Sequence, residues 1–155
     1  MPRKTCLIKI SGDMLSDSDN VFQWIKKLSQ KYLVVVCVGG AKQINEAFAV
    51  AGLPIRKFGP LGRETKTQEE KELARKVLEA NKAELQGRLA QFGIHVNVVI
   101  SVMEVGNVLC HVNGDQFVLT AYHGFDILYV ITTKGRVKKK KSFFAPYKKI
   151  HVKGF

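Results

Sequence analysis

At 155 residues, 46% of them hydrophobic, the chain is one ordinary domain with enough apolar side chains for a buried core. Its 25 lysines and arginines against 13 aspartates and glutamates give a formal charge of +12, a balance that favours polyanionic partners. No apolar run nears the ~20 residues of a membrane span, and the apolar stretch Cys6 to Ile8 is too short for a signal-peptide core, so no membrane partner is expected and the cytoplasm is the default location.

Cys6 to Ile10 reads as a buried strand that stops at Gly12. Asp17 and Asp19 precede apolar residues at helical spacing from Val21 to Leu28, and Asp19 or Asn20 suits the N-cap. Leu33 to Val38 is a continuous, mostly β-branched run, the pattern of a strand covered on both faces. It ends at Gly39-Gly40 and gives way to a helical stretch, Lys42 to Val50, closed by Gly52. Elements in this order predict an α/β fold: a mainly parallel sheet with helices on both faces.

Gly59-Pro60-Leu61-Gly62 is a loop. Thr67 to Phe92 carries the clearest helical pattern, with Leu73, Val77, Leu78, Leu85, Leu89 and Phe92 largely on one stripe and Gly93 as the stop. Val96 to Met103 and Val108 to Val112 read as strands around a Gly106-Asn107 turn. Asn113-Gly114-Asp115 is a polar turn, Phe117 to Tyr122 fits either a helix or a strand, and Ile127 to Ile131 is a last buried strand. From Lys134 to Phe155, nine basic residues meet no acidic one, which leaves the remainder of the chain at a net charge of only +3. The expected division is therefore an α/β domain over 1–133 and a basic segment over 134–155. Self-repulsion predicts that this segment lies extended or as an exposed hairpin.

Cys6, Cys37 and Cys110 lie far apart among apolar neighbours, without metal spacing and odd in number, and read as buried thiols. His95, His111, His123 and His151 show neither ligand nor triad spacing and read as structural or surface groups, so no metal site is expected.

In parallel α/β sheets ligands gather at the carboxyl ends of the strands. Lys9-Ile10-Ser11-Gly12, Gly39-Gly40, Asn113-Gly114-Asp115 and Thr132-Thr133-Lys134-Gly135 all fall at strand ends or polar turns. Glycine admits phosphate oxygens to backbone N–H groups, and a lysine beside such a turn can neutralise a moving phosphoryl group.

Leu7-Ile8-Lys9-Ile10-Ser11-Gly12-Asp13 resembles the first-strand signature of the amino acid kinase superfamily, and its Ser-Gly-acid ending is closest to uridylate kinases. Val34 to Gly40 is similar to the second-strand motif of that superfamily, with Ala41 in place of its third glycine. Gly62-Arg63-Glu64-Thr65 and the helix carrying Asn81 resemble the region that closes over the acceptor; in acetylglutamate kinases an arginine at this place pairs with the substrate carboxylate. Val112-Asn113-Gly114-Asp115 resembles the catalytic turn, and Phe125 to Thr132 the strand leading into the nucleotide-binding half. There Thr132-Thr133-Lys134-Gly135-Arg136-Val137 replaces the usual Thr-Asp-Val-Asp-Gly-Val.

The resemblance implies a shortened amino acid kinase-like (carbamate kinase-like) fold without most of the nucleotide-binding half. It implies Lys9 and Asp115 as catalytic residues, and Ser11, Gly12, Gly39, Gly40, Arg63 and Asn113 as phosphate or substrate contacts. Thr132, Thr133 and Gly135 are the implied nucleotide contacts. The implied activity is phosphoryl transfer from ATP with Mg2+ to a small phosphate- or carboxylate-bearing acceptor, uridylate-kinase-like first and acetylglutamate-kinase-like second, with a homo-oligomer as the expected assembly. The second class is a catalytically degenerate kinase fold that binds RNA or a ribosome through Lys138, Lys139, Lys140 and Lys141.

Overall fold

The computed structural model describes residues 1–16 and 19–155. Strand β1 (Thr5–Ile10) leads through a 3-10 turn (Gly12–Met14) to helix α1 (Asp19–Ser29), then β2 (Leu33–Val38) and α2 (Ala41–Val50). Two very short strands, β3 (Phe58–Gly59) and β4 (Gly62–Arg63), pair before the long helix α3 (Gln68–Gln91). After β5 (Asn97–Ile100) come β6 (Val102–Val105), β7 (Val108–His111) and helix α4 (Gly114–Thr120). The chain ends with β8 (Ile127–Thr132), α5 (Val137–Phe144) and β9 (Ile150–Gly154).

Five strands form one parallel sheet in the order β5-β2-β1-β8-β9. Strand side chains alternate between faces, so each central strand feeds two cores. Cys6, Ile8 and Ile10 of β1 join Val34, Val36 and Val38 of β2 beneath Val21, Phe22 and Ile25 of α1 and Leu85 and Leu89 of α3. Their neighbours Leu7 and Cys37 face the other way, with Leu128 and Val130, onto Val118 of α4 and Phe144 of α5. The expected parallel sheet with helices on both faces is what these residues build. A third cluster, Ile44, Phe48, Ala74 and Leu78, locks α2 onto α3. The start of α3 is set by Thr67, whose Oγ1 accepts from the Glu70 N–H at 3.1 Å, while buried Glu70 accepts from the Lys66 N–H at 2.8 Å and from Arg56 at 2.9 Å. Among the described residues no helix is long and apolar enough to cross a membrane.

Four expectations need correcting. Residues 134–155 are neither extended nor an exposed hairpin: α5 and β9 continue the main sheet, with β9 parallel to β8 and Phe144 and Ile150 in the core. Val137 and Phe144 turn inward, while Lys138, Lys139 and Lys141 face water, where solvent and salt screen their repulsion. Val96 to Met103 is not one strand. The chain leaves the parallel sheet at buried Ser101 and enters an antiparallel β6–β7 hairpin turned at Gly106, whose φ of 60° suits glycine. Asp19 and Asn20 lie inside α1 rather than capping it, and Asp17 falls outside the described residues. Cys110 is only half-buried, because its hairpin has one covered face.

Candidate anion-binding site

The ends of β1, β2 and β8 stand level, since Ile10 is in register with both Val38 and Ile131. From β1 the chain passes to α1 on one face, and from β8 to α5 on the other. Adjacent parallel strands that feed opposite faces leave a crevice at their carboxyl ends.

Lys9 is the penultimate residue of β1, and its side chain is only 12% exposed. Its Nζ lies 3.7 Å from Oδ1 of Asp115 in the first turn of α4. Oδ2 of the same carboxylate accepts a hydrogen bond from Lys140 of α5. Two ammonium groups from distant segments thus share one buried carboxylate. The contact depends on Gly114: a Cβ there would stand 2.6 Å from Lys9 Cε, so any side chain would push the lysine aside. Asn113 positions the turn by accepting from the Asp115 N–H at 3.3 Å.

Burial holds the Lys9 ammonium below its ordinary pKa; Asp115 opposes that shift and Lys140 adds to it. Beside Lys9, burial pushes the Cys37 thiol up to about 12. Cys37 is therefore a protonated core residue and not a nucleophile.

Lys9 opens onto a cleft of about 110 Å³, also lined by Ser11, Gly40, Arg63, His111 and Asn113. Its far wall is the start of α2, whose N-cap residue Gly40 offers no side chain to the first-turn N–H groups. Buried Arg63 donates to the Ala41 carbonyl at 3.1 Å and to Asn45 Oδ1 at 2.7 Å, and its guanidinium lies 4.8 Å from the Phe58 ring centroid. Its Nη1 is buried without a hydrogen-bond partner among the described residues. Gly62, at a φ of 113°, brings the β3–β4 turn against Asn113, whose N–H donates to the Leu61 carbonyl at 3.3 Å.

The expected site residues divide clearly. Lys9, Ser11, Gly40, Arg63 and Asn113 line the cleft, and Asp115 joins through Lys9. Gly12 and Gly39 do not line it. A Cβ on Gly12 would stand 2.9 Å from the Gly39 carbonyl oxygen, so close packing of the two strand-end turns already requires glycine there. The Gly39 carbonyl accepts from buried Asn81 at 3.1 Å. Thr132, Thr133 and Gly135 lie at the end of β8 and do not line the cleft. Of the four lysines Lys138 to Lys141, only Lys140 reaches Asp115.

Two residues stand where the sequence did not put them. Lys140 was expected only among the polyanion contacts of the lysine run, not on Asp115, although Val137, Lys140 and Phe144 have the i, i+3, i+7 spacing of one helix face. His111 lines the cleft and places Nε2 3.1 Å from the Lys71 carbonyl, which requires the proton on Nε2. Burial lowers its pKa and keeps the ring neutral near pH 7. Nothing in its spacing marks it.

The site brings fixed positive charge, backbone donors and a small volume together. Among the described residues no cluster of three His, Cys, Asp or Glu side chains could hold a metal ion. No protein-family model matches the chain, and no curated protein matches it.

Proposed function

We propose that the chain is an amino acid kinase-like phosphotransferase whose cleft receives the phosphate or carboxylate of a small acceptor. The observation that carries this reading is the sharing of Asp115 by Lys9 and Lys140 at the carboxyl end of β1. Phosphoryl transfer asks little covalent chemistry of a protein and much positioned charge. Lys9 and Lys140 supply that charge, and Asp115 orients both ammonium groups. Arg63, braced on α2, is the side chain placed to orient the acceptor's anion.

ATP with Mg2+ would supply the phosphoryl group. The donor set suits its phosphate end, with two lysines and the start of α2. A volume of about 110 Å³ is well under the roughly 300 Å³ of sites that enclose a drug-sized ligand, so a whole nucleotide does not fit inside. Uridylate and acetylglutamate are the favoured acceptor types, in that order.

The exposed cations of α5 favour a second reading, in which the fold binds RNA or a ribosome without catalysis. One experiment addresses the first. Thermal shift with ATP, UMP and acetylglutamate should show stabilisation of about 2.7 kcal/mol at 100 times the dissociation constant. Lys9→Met should abolish the acceptor's shift and any ADP formation. No shift from any of the three, or a shift that Lys9→Met retains, defeats the proposal.

A further inference from the structure

Several cations of the last segment are occupied within the fold. Lys140 is held by Asp115, and Lys149 donates to the Phe125 carbonyl at 2.8 Å and lies over the Tyr122 ring. Lys153 lies over the Trp24 and Phe155 rings, and Arg136 stands 3.6 Å from Asp13. Lys134, Lys138, Lys139, Lys141 and Lys148 are all exposed and make no ion pair among the described residues. Three of these belong to α5, the helix whose Lys140 holds Asp115 beside the cleft. Neighbouring residues are about 3.8 Å apart at Cα, so the free lysines begin where the site ends. On the far side of α5 a groove of about 380 Å³ runs to β9, lined by Lys141, Phe144, Tyr147, Lys148 and His151.

We propose that the cleft takes the terminal phosphate of a single-stranded nucleic acid, whose following phosphates run over the lysines of α5 toward the α5–β9 groove. The proposal rests on the cleft being an anion site, as above, but not on phosphoryl transfer. Charge favours a chain end. Lys9, Lys140 and Arg63 against Asp115 leave a formal excess of two positive charges. A phosphomonoester carries about −1.5 to −2 near pH 7, whereas each internal phosphodiester carries a single charge. Size agrees: a cleft of about 110 Å³ admits a phosphate and excludes a base. Rings beside cations favour nucleic acid over a bare polyphosphate chain. Phe143 is 46% exposed on α5 and Tyr147 lines the groove, so unpaired bases have surfaces on which to stack.

Fluorescence anisotropy on oligouridylates of about ten nucleotides, a length within known single-strand site sizes, provides the test. The strands carry a 5′-phosphate, a 3′-phosphate or neither. One phosphorylated end should bind on the order of tenfold more tightly than the plain strand, as a charge-assisted contact of roughly 1.4 kcal/mol would give. Lys9→Met should remove that increment, so that phosphorylated and plain strands bind alike. Gly114→Ala, which displaces the same lysine by another route, should do likewise. The combined Lys138→Gln, Lys139→Gln and Lys141→Gln variant should weaken all three strands and reduce the log–log salt slope by about 2. Equal binding of phosphorylated and plain strands overturns the proposal. So does competition by polyphosphate as strong as that of RNA. A UMP- or acetylglutamate-dependent shift without any end effect would leave the small-acceptor reading standing alone. An end effect without those shifts would do the reverse.

Discussion

Lys9 is the residue on which the site turns, because it is buried, charged and opposed by a single shared carboxylate. Burial lowers its pKa, Asp115 raises it and Lys140 lowers it again. Titration by lysine-selective NMR should place Lys9 below the ordinary value of 10.5, lower still in Asp115→Asn, and closer to 10.5 in Lys140→Met. The stability consequence has a definite sign. Between the lowered folded pKa and 10.5 the unfolded chain binds more protons, so the Lys9 contribution improves as pH rises through that window. Below the window the buried charge is a net cost. The melting midpoint of the wild type should therefore gain on that of Lys9→Met as pH rises through this window toward 10.5. A Lys9 that titrates at or above 10.5 would mean that Asp115 more than offsets desolvation, and the lysine would then be structural.

Among the elements, α5 decides how the carboxyl-terminal segment is understood. Phe144 is 2% exposed and packs with Leu7, Val118, Leu128 and Ile150, whereas its neighbour Phe143 is 46% exposed. Phe144→Ala should cost about 3–5 kcal/mol, and Phe143→Ala should stay within about 0.5 kcal/mol, in chemical denaturation. Equal small effects would return the segment to the status of a dispensable tail. The strands ending at Ile10, Val38 and Ile131 were legible because a buried parallel strand leaves a continuous apolar run stopped by glycine or threonine. α5 was not, because only Val137 and Phe144 carry its inward face and the lysines between them dominate composition. The turn after β5 was equally silent: the apolar pattern runs on from Val96 to Met103 while the backbone changes partner at Ser101. At the site, Lys9, Arg63 and Asp115 stood at strand ends or in a glycine-rich loop where chemistry gathers. His111 reaches the same place only through tertiary packing, and for Lys140 helical spacing marks the inward face but not the carboxylate it meets.

Over the whole molecule, a formal charge of +12 opposes compaction, and nine basic residues without an acidic one concentrate that opposition in residues 134–155, which form α5 and β9. Of the five ion pairs among the described residues, Lys82–Glu79 and Arg136–Asp13 are well exposed and contribute little. Lys9–Asp115, Lys140–Asp115 and Arg56–Glu70 are shielded from solvent, so added salt weakens them only slightly. Salt therefore acts mainly on the unpaired lysines. Raising sodium chloride from about 0.01 M to 0.15 M shortens the Debye length from about 30 to 8 Å and should raise the melting midpoint by a few degrees. The Lys138→Gln, Lys139→Gln and Lys141→Gln variant should begin at a higher midpoint and respond less. If the cleft is the proposed anion site, phosphate at matched ionic strength should add a saturable increment, and Lys9→Met should lose that increment alone. A midpoint that falls with chloride would show that the exposed pairs outweigh the repulsion. An increment that Lys9→Met keeps would place the bound phosphate on the α5 surface instead of in the cleft.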